Sequence, residues 1–242
     1  MKIFVICLLI SFFLTACGMT PKPSPEQHTS ILLSGLLDVT DKRRYWPSSD
    51  QILQYFHCKR TPNAECIFRL RAITDKRLNP VITYRLADAA SMEKDNQGRD
   101  EQFRERNILA FYTAVRNGTN DFYNDTDTSQ SLSNSECFAA ISNELSYLAS
   151  CNSDEKILLV ASDLMEKSDI GDFYQTPLTN ARQIANQLAR TNLLPENLTG
   201  VTVIFLFSPR DRKEDQAFSV ISEAYKLLLQ TKGAEIKIQA NL

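Results

Sequence analysis

Two aspartates in this sequence each stand at the end of an apolar run: "ILLSGLLD" closes on Asp38 and "ILLVASD" closes on Asp163. Runs without polar alternation are the pattern of strands buried on both faces of a sheet. Both carboxylates would therefore leave the sheet at a strand end. Thr40 follows the first, with Asp41 and the cations Lys42, Arg43 and Arg44 behind it; Ser162 precedes the second. Three kinds of chemistry compete for this set. A magnesium or similar divalent ion keeps several waters and needs only one or two carboxylates and a hydroxyl, which Asp38, Thr40 and Asp163 would supply. A phosphotransfer aspartate, the basis of a metal-dependent phosphohydrolase using Asp38, needs a second carboxylate two residues on. That place holds Thr40, and Asp41 falls on the other side of an extended segment. In the plainest reading, both aspartates cap helices or pair with Lys42, Arg43 or Arg44. Tyr45 and Trp46, aromatic and beside the cations, have the composition of a partner-binding hot spot, although Trp46 packed over the sheet rim is the favoured reading.

Other chemistries lack their residues. The chain has two histidines, His28 and His57, which excludes a histidine-rich metal site and argues against a histidine-based triad. There is no glycine-rich phosphate loop, nucleophile elbow or dinucleotide fingerprint. A net charge of −2 predicts no attraction to nucleic acid.

The elements that would position the aspartates alternate along the chain. "SILLSGLLDVT" reads as a central strand. "SSDQILQYFH" opens a helix capped by Ser48 or Ser49. "CIFRLRAITD" and "PVITYRLAD" read as a hairpin turning at Asn79-Pro80. "RDEQFRERNILAFYTAVRN" is an amphipathic helix with Phe103, Ile108, Phe111 and Val115 on one side, and "GTNDFYNDTDTSQSLSN" a polar loop. A helix "SECFAAISNELSYLASC" precedes the strand of Asp163. A helix follows with Pro177 near its start. The chain then gives the apolar strand "GVTVIFLFSP", a helix closing on Gly233 and the half-polar edge strand "AEIKIQA". Buried strands separated by helices predict an α/β fold: a doubly wound, mostly parallel, Rossmann-like sheet with helices on both faces and one antiparallel hairpin strand. Ligands of such folds sit beyond the carboxyl ends of the strands.

The N-terminus reads as an address. Lys2 and the apolar "IFVICLLISFFL" suit a signal-peptide core, since a spanning helix needs about 20 residues. The run closes on Leu14-Thr15-Ala16-Cys17, which resembles the bacterial lipobox. That resemblance implies a signal peptide over 1–16 and lipidation (palmitate) at Cys17, with Gly18 favouring the outer membrane of the cell envelope. Residues 17–29 are proline-rich and polar and read as a tether, leaving 30–242 as one domain. Export makes the remaining cysteines candidates for oxidation. Cys58 and Cys66 flank a turn-rich loop and are expected to pair. Cys137 and Cys151 lie near opposite ends of one helix, about 20 Å apart, too far for a bridge.

The hairpin, the lengths and the two strand-end aspartates together resemble the von Willebrand factor A-like (vWA-like) domain over about residues 30–242. In that family strand one ends in Asp-x-Ser-x-Ser, a loop before a helix gives a threonine, and a Ser-Asp-Gly-like turn gives a second aspartate. The resemblance places Asp38 at the first aspartate, Thr40 at the first serine, Ser135 at the threonine (ahead of Ser131 and Ser133), and Ser162-Asp163 at the Ser-Asp pair. Lys42 replaces the second serine and Leu164 the glycine, a degraded form of the metal-ion-dependent adhesion site. The resemblance implies binding rather than catalysis: a lipid-anchored envelope protein engaging an unidentified protein partner, whose carboxylate would complete the ion's shell. A metal-free scaffold in a secretion or conjugation apparatus is the alternative.

Overall fold

The computed structural model describes residues 29–40, 46–56, 63–87, 101–126, 132–175 and 177–240. The strands are β1 (Ser30–Asp38), β2 (Glu65–Ile73), β3 (Val81–Leu86), β4 (Glu155–Ala161), β5 (Lys167–Ser168), β6 (Gly171–Asp172), β7 (Val201–Phe207) and β8 (Glu235–Ala240). The helices are α1 (Ser49–Leu53), α2 (Glu101–Asp125), α3 (Cys137–Ser150), α4 (Ala181–Ala189) and α5 (Arg212–Thr231).

Six strands form one sheet in the order β3-β2-β1-β4-β7-β8. Every pairing is parallel except the β2–β3 hairpin. β1 is central, as its unbroken apolar run predicted, and it is buried from Ile31 to Asp38. Its alternate side chains serve two cores. Leu32 and Leu36 face α3, α4 and α5, where they join Phe138, Ile141, Leu188 and Tyr225. Ile31, Leu33 and Leu37 face α1 and α2, where they join Ile52, Phe111 and Val115. Helices therefore cover both faces of a mostly parallel sheet, which is the doubly wound class expected.

Local chemistry sets most boundaries. Ser48 and Gln51 form a reciprocal capping box on α1, with Ser48 Oγ accepting from Gln51 N and Gln51 Oε1 accepting from Ser48 N. Asp211 caps α5 by accepting from the amides of Lys213 and Glu214, and Gly233 at φ 91° ends it. Two boundaries differ from expectation. α4 begins at Ala181 under an Asn180 cap, four residues past Pro177. α2 continues to Asp125 through Gly118 and residues expected to form a loop. A Cβ at Gly118 would lie 1.9 Å from the Tyr84 hydroxyl, so the glycine lets α2 press closely on β3. The β5–β6 hairpin in the β4–α4 connection was not expected.

Candidate functional site

The strand order reverses at β1, which has β2 on one side and β4 on the other. A crevice at the carboxyl ends of β1 and β4 is the usual ligand position in such sheets. Parallel register pairs Leu37 with Ala161, so the next residues, Asp38 and Ser162, emerge side by side. Ser162 Oγ donates to Asp38 Oδ2 at 2.6 Å. Thr40 closes over the other oxygen, its hydroxyl donating to Asp38 Oδ1 at 2.6 Å and its amide at 3.0 Å. Asp38 is fully buried. Ser162 Oγ also accepts from Leu164 N at 2.9 Å, in a turn that holds Leu164 at φ 62°. Asp163 is partly buried and accepts from Met165 N at 2.9 Å.

The start of α3 completes the neighbourhood. Cys137 Sγ lies 3.8 Å from Ser162 Oγ, and the Tyr225 hydroxyl donates to that sulfur at 4.0 Å. Two residues before Cys137, Ser135 exchanges backbone hydrogen bonds with Lys167 of β5. The Ser135 hydroxyl is buried and has no hydrogen-bond partner. Leaving such a group unsatisfied costs about 1–3 kcal/mol. The structure thus joins Asp38, Thr40 and Ser162 directly and sets Asp163 and Ser135 on the connections that flank them.

Two carboxylates surround this edge besides Asp38 and Asp163. Glu136 lies at the α3 N-cap without capping it. Glu166 supplies the cap instead: Oε2 accepts from Phe138 N at 2.7 Å, and Oε1 accepts from the Ser168 hydroxyl. Burial pushes the Glu166 carboxyl up from 4.5 to about 7, opposed by those two hydrogen bonds. Sequence reasoning missed Glu166. Its signal was an acid three residues past Asp163, directly after the apolar pair Leu164-Met165.

Burial, and then the negative charges of Glu166 and Asp38, push the Cys137 thiol well up. It therefore stays protonated, although a helix N-terminus ordinarily favours the thiolate. Ser162 donates to Asp38 and accepts from the Leu164 amide. Trp46 packs over the rim: its indole N–H donates to the Asp38 carbonyl at 2.8 Å, and its ring stacks on Tyr123 at 5.1 Å.

Among the described residues no group of three or more His, Cys, Asp or Glu side chains could hold a metal. A hard cation here would rest on two carboxylates, hydroxyls and water, the donor types of Asp38, Thr40, Ser135 and Asp163. Cys17, Lys42, Arg43, Arg44, Tyr45, Cys58 and Ser131 lie outside the described residues. Cys66 is disulfide-bonded, while Cys137 and Cys151 are free.

No protein-family model matches the sequence, and no curated protein matches it. Solved structures similar across most of their length include the following three. The SpRpn10 VWA domain is 8% identical, with a TM-score of 0.38, over 87% of this chain and 88% of that one. An aerotolerance-related membrane protein from Bacteroides fragilis is 12% identical, with a TM-score of 0.35, over 86% and 92%. The conserved hypothetical protein BatB from Bacteroides thetaiotaomicron is 12% identical, with a TM-score of 0.37, over 88% and 91%. At such scores the likenesses carry no argument; the strand order and the crevice geometry define a doubly wound α/β domain on their own.

Proposed function

We propose that this chain is a lipid-anchored, vWA-like binding module of the bacterial cell envelope, not an enzyme. In this reading it engages a protein partner at the Asp38–Asp163 edge and holds magnesium or a similar ion there. The observation that carries the reading is the Ser135 hydroxyl: buried, without a partner, and at the position the family resemblance gives to a metal ligand. Asp38, Thr40, Ser135 and Asp163 would hold the ion, which would offer a partner carboxylate a positive coordination position. Full burial of Asp38, with both oxygens already accepting, favours this over phosphotransfer, which needs an exposed nucleophile.

An ion that binds the folded state alone raises stability by mass action, about 2.7 kcal/mol at a hundredfold excess over Kd. For a domain of this size each kcal/mol is worth about 2–4 °C in Tm. Melting with magnesium, manganese or chelator should therefore show a rise of several degrees with metal, lost in Ser135→Ala and in Asp163→Ala. No shift at millimolar metal removes the ion and leaves the metal-free scaffold. Turnover of a phosphoester in an Asp38-dependent way would install the hydrolase in its place. The anchor is tested separately: Cys17→Ser should leave the protein unprocessed or released from the membrane, and normal processing, acylation and anchoring of that variant would exclude lipidation at Cys17.

A further inference from the structure

One side chain ties the two ends of the connection between β1 and α1. Val39 N donates to Ile73 O of β2 at 3.1 Å, and a trans peptide turns the preceding carbonyl the opposite way. The Asp38 carbonyl therefore points away from β2, just beyond Leu37 and Ala161, the last pair that β1 makes with β4. The indole N–H of Trp46 donates to it there at 2.8 Å. The bond brings the chain back against the strand end just before Ser48, the cap of α1. Helix α2 backs the indole in turn. The Tyr123 ring stacks on it, with centroids 5.1 Å apart and planes inclined by 21°, and the Tyr123 hydroxyl donates to the carbonyl of buried Pro47.

This tie bears on the candidate site because Asp38 belongs to both. Its carbonyl meets the indole, while its carboxylate accepts from the Thr40 amide and hydroxyl and from the Ser162 hydroxyl. Taking a hydrogen bond from a buried backbone carbonyl is costly, so the indole fixes the Asp38 peptide, and that peptide sets where the carboxylate and Thr40 lie. A supporting hydrogen bond one step behind a metal ligand ordinarily governs the ligand's orientation. We propose that Trp46 is a positioning residue: its indole N–H holds Asp38 and Thr40 in the arrangement that would receive the ion, and Tyr123 backs it from α2. The effect on ion affinity rests on the ion reading above. The effect on the Asp38–Thr40 arrangement does not, so the two can fail separately.

The test uses purified full-length protein, first with chelator present. The chain has one tryptophan, so its indole N–H gives a single NMR signal, which should exchange with water more slowly in the folded protein than in urea. Trp46→Phe keeps a ring for Tyr123 and loses the donor. The Thr40 amide should then exchange about tenfold faster, with the amides of β4 and β7 unchanged. Tyr123→Phe keeps the stack and the indole bond, so Thr40 should exchange as it does in wild type. Calorimetric titration with magnesium follows. Trp46→Phe should bind about tenfold or more weaker than wild type, while its melting temperature in chelator stays close to that of wild type, a split that lost packing would not produce. A freely exchanging indole in wild type, an unchanged Thr40 amide in Trp46→Phe, or an equal effect of Tyr123→Phe overturns the proposal. Magnesium binding that is equal in wild type and Trp46→Phe refutes the positioning and keeps the ion. Faster Thr40 exchange in Trp46→Phe, with no magnesium binding by wild type, supports the positioning and refutes the ion.

Discussion

Two buried carboxylates meet helix α3, one in its middle and one at its N-terminus, and the two are handled in opposite ways. Glu144, in the middle of the helix, is fully buried and meets cations. Arg69 Nε donates to its Oε1 at 2.8 Å, Arg71 approaches Oε2 at 3.4 Å, and Ser34 Oγ donates at 2.7 Å. The Arg69 guanidinium lies over the Tyr147 ring at 3.5 Å. Glu166, at the helix N-terminus, is equally buried but is held by a backbone amide and a serine hydroxyl. Charge on Glu144 is matched by charge, whereas Glu166 is held by dipoles alone, and burial drives the Glu166 carboxyl to about 7. The interior is thus ion-paired under the middle of α3 and protonation-sensitive at the edge where the candidate site lies.

The largest effect is expected from breaking the ion-paired middle. Glu144→Ala costs no helix propensity but strands two arginines. Removing one partner of a buried pair costs about 3–5 kcal/mol. The arginine side chains keep 12% and 13% exposure, so the lower end applies. Urea unfolding should show a loss of about 3 kcal/mol, and a loss below about 1 kcal/mol would mean that the arginines find water instead.

The second effect is pH-dependent and belongs to Glu166. Its folded-state pKa is raised, so the folded protein holds this proton more tightly than the unfolded chain. The stability it contributes is complete below 4.5 and is lost as pH rises through about 7. The full span is about 3 kcal/mol. Glu166→Gln keeps an oxygen for Phe138 N and cannot ionise. Its stability relative to wild type should climb between about pH 5 and pH 8 by up to that amount, measured by denaturation across the range. A constant difference between the two proteins would show that Glu166 titrates normally.

Much of the sheet was legible because it rests on local pattern. Unbroken apolar runs marked β1, β4 and β7, and alternation marked the β2–β3 hairpin. What escaped depends on contacts between distant segments. Gly118 and its polar neighbours read as a loop because nothing nearby announces that β3 will place Tyr84 against them. Glu144 was partly visible: it lies three residues after Ile141 and four before Leu148, on the buried side of α3. Arg69 and Arg71 likewise fall on one face of β2 opposite Ser34 and Leu36. Joining those two signals requires knowing that α3 packs over β1 and β2. At the candidate site, the aspartates were legible from the strand ends. The hydroxyl of Ser162 as the direct partner of Asp38 follows from inter-strand register, which no single strand encodes.

The smallest effect concerns the turn that ties the site to the apolar core. Leu164 occupies the left-handed region at φ 62°, where the family resemblance expects glycine. An L-residue there costs about 1–2 kcal/mol, so Leu164→Gly relieves strain. Against this, the leucine side chain is fully buried among core residues on the α3–α5 face, worth about 1.5–3 kcal/mol, and glycine also loses more backbone entropy on folding. Burial should win narrowly, giving a net loss of about 1 kcal/mol in urea unfolding. The same variant sharpens the contrast between the middle and the N-terminus of α3. If the leucine serves as a core anchor that fixes the Ser162–Asp38 contact, loosening it should make the Glu166 edge more accessible to water. The pH-dependent loss of stability between about pH 5 and pH 8 should then shrink, because a better-hydrated carboxyl titrates closer to its ordinary value. A Leu164→Gly protein that is more stable than wild type would instead show that the turn is strained more than its burial repays. The departure from glycine would then be a cost at the site and not an anchor.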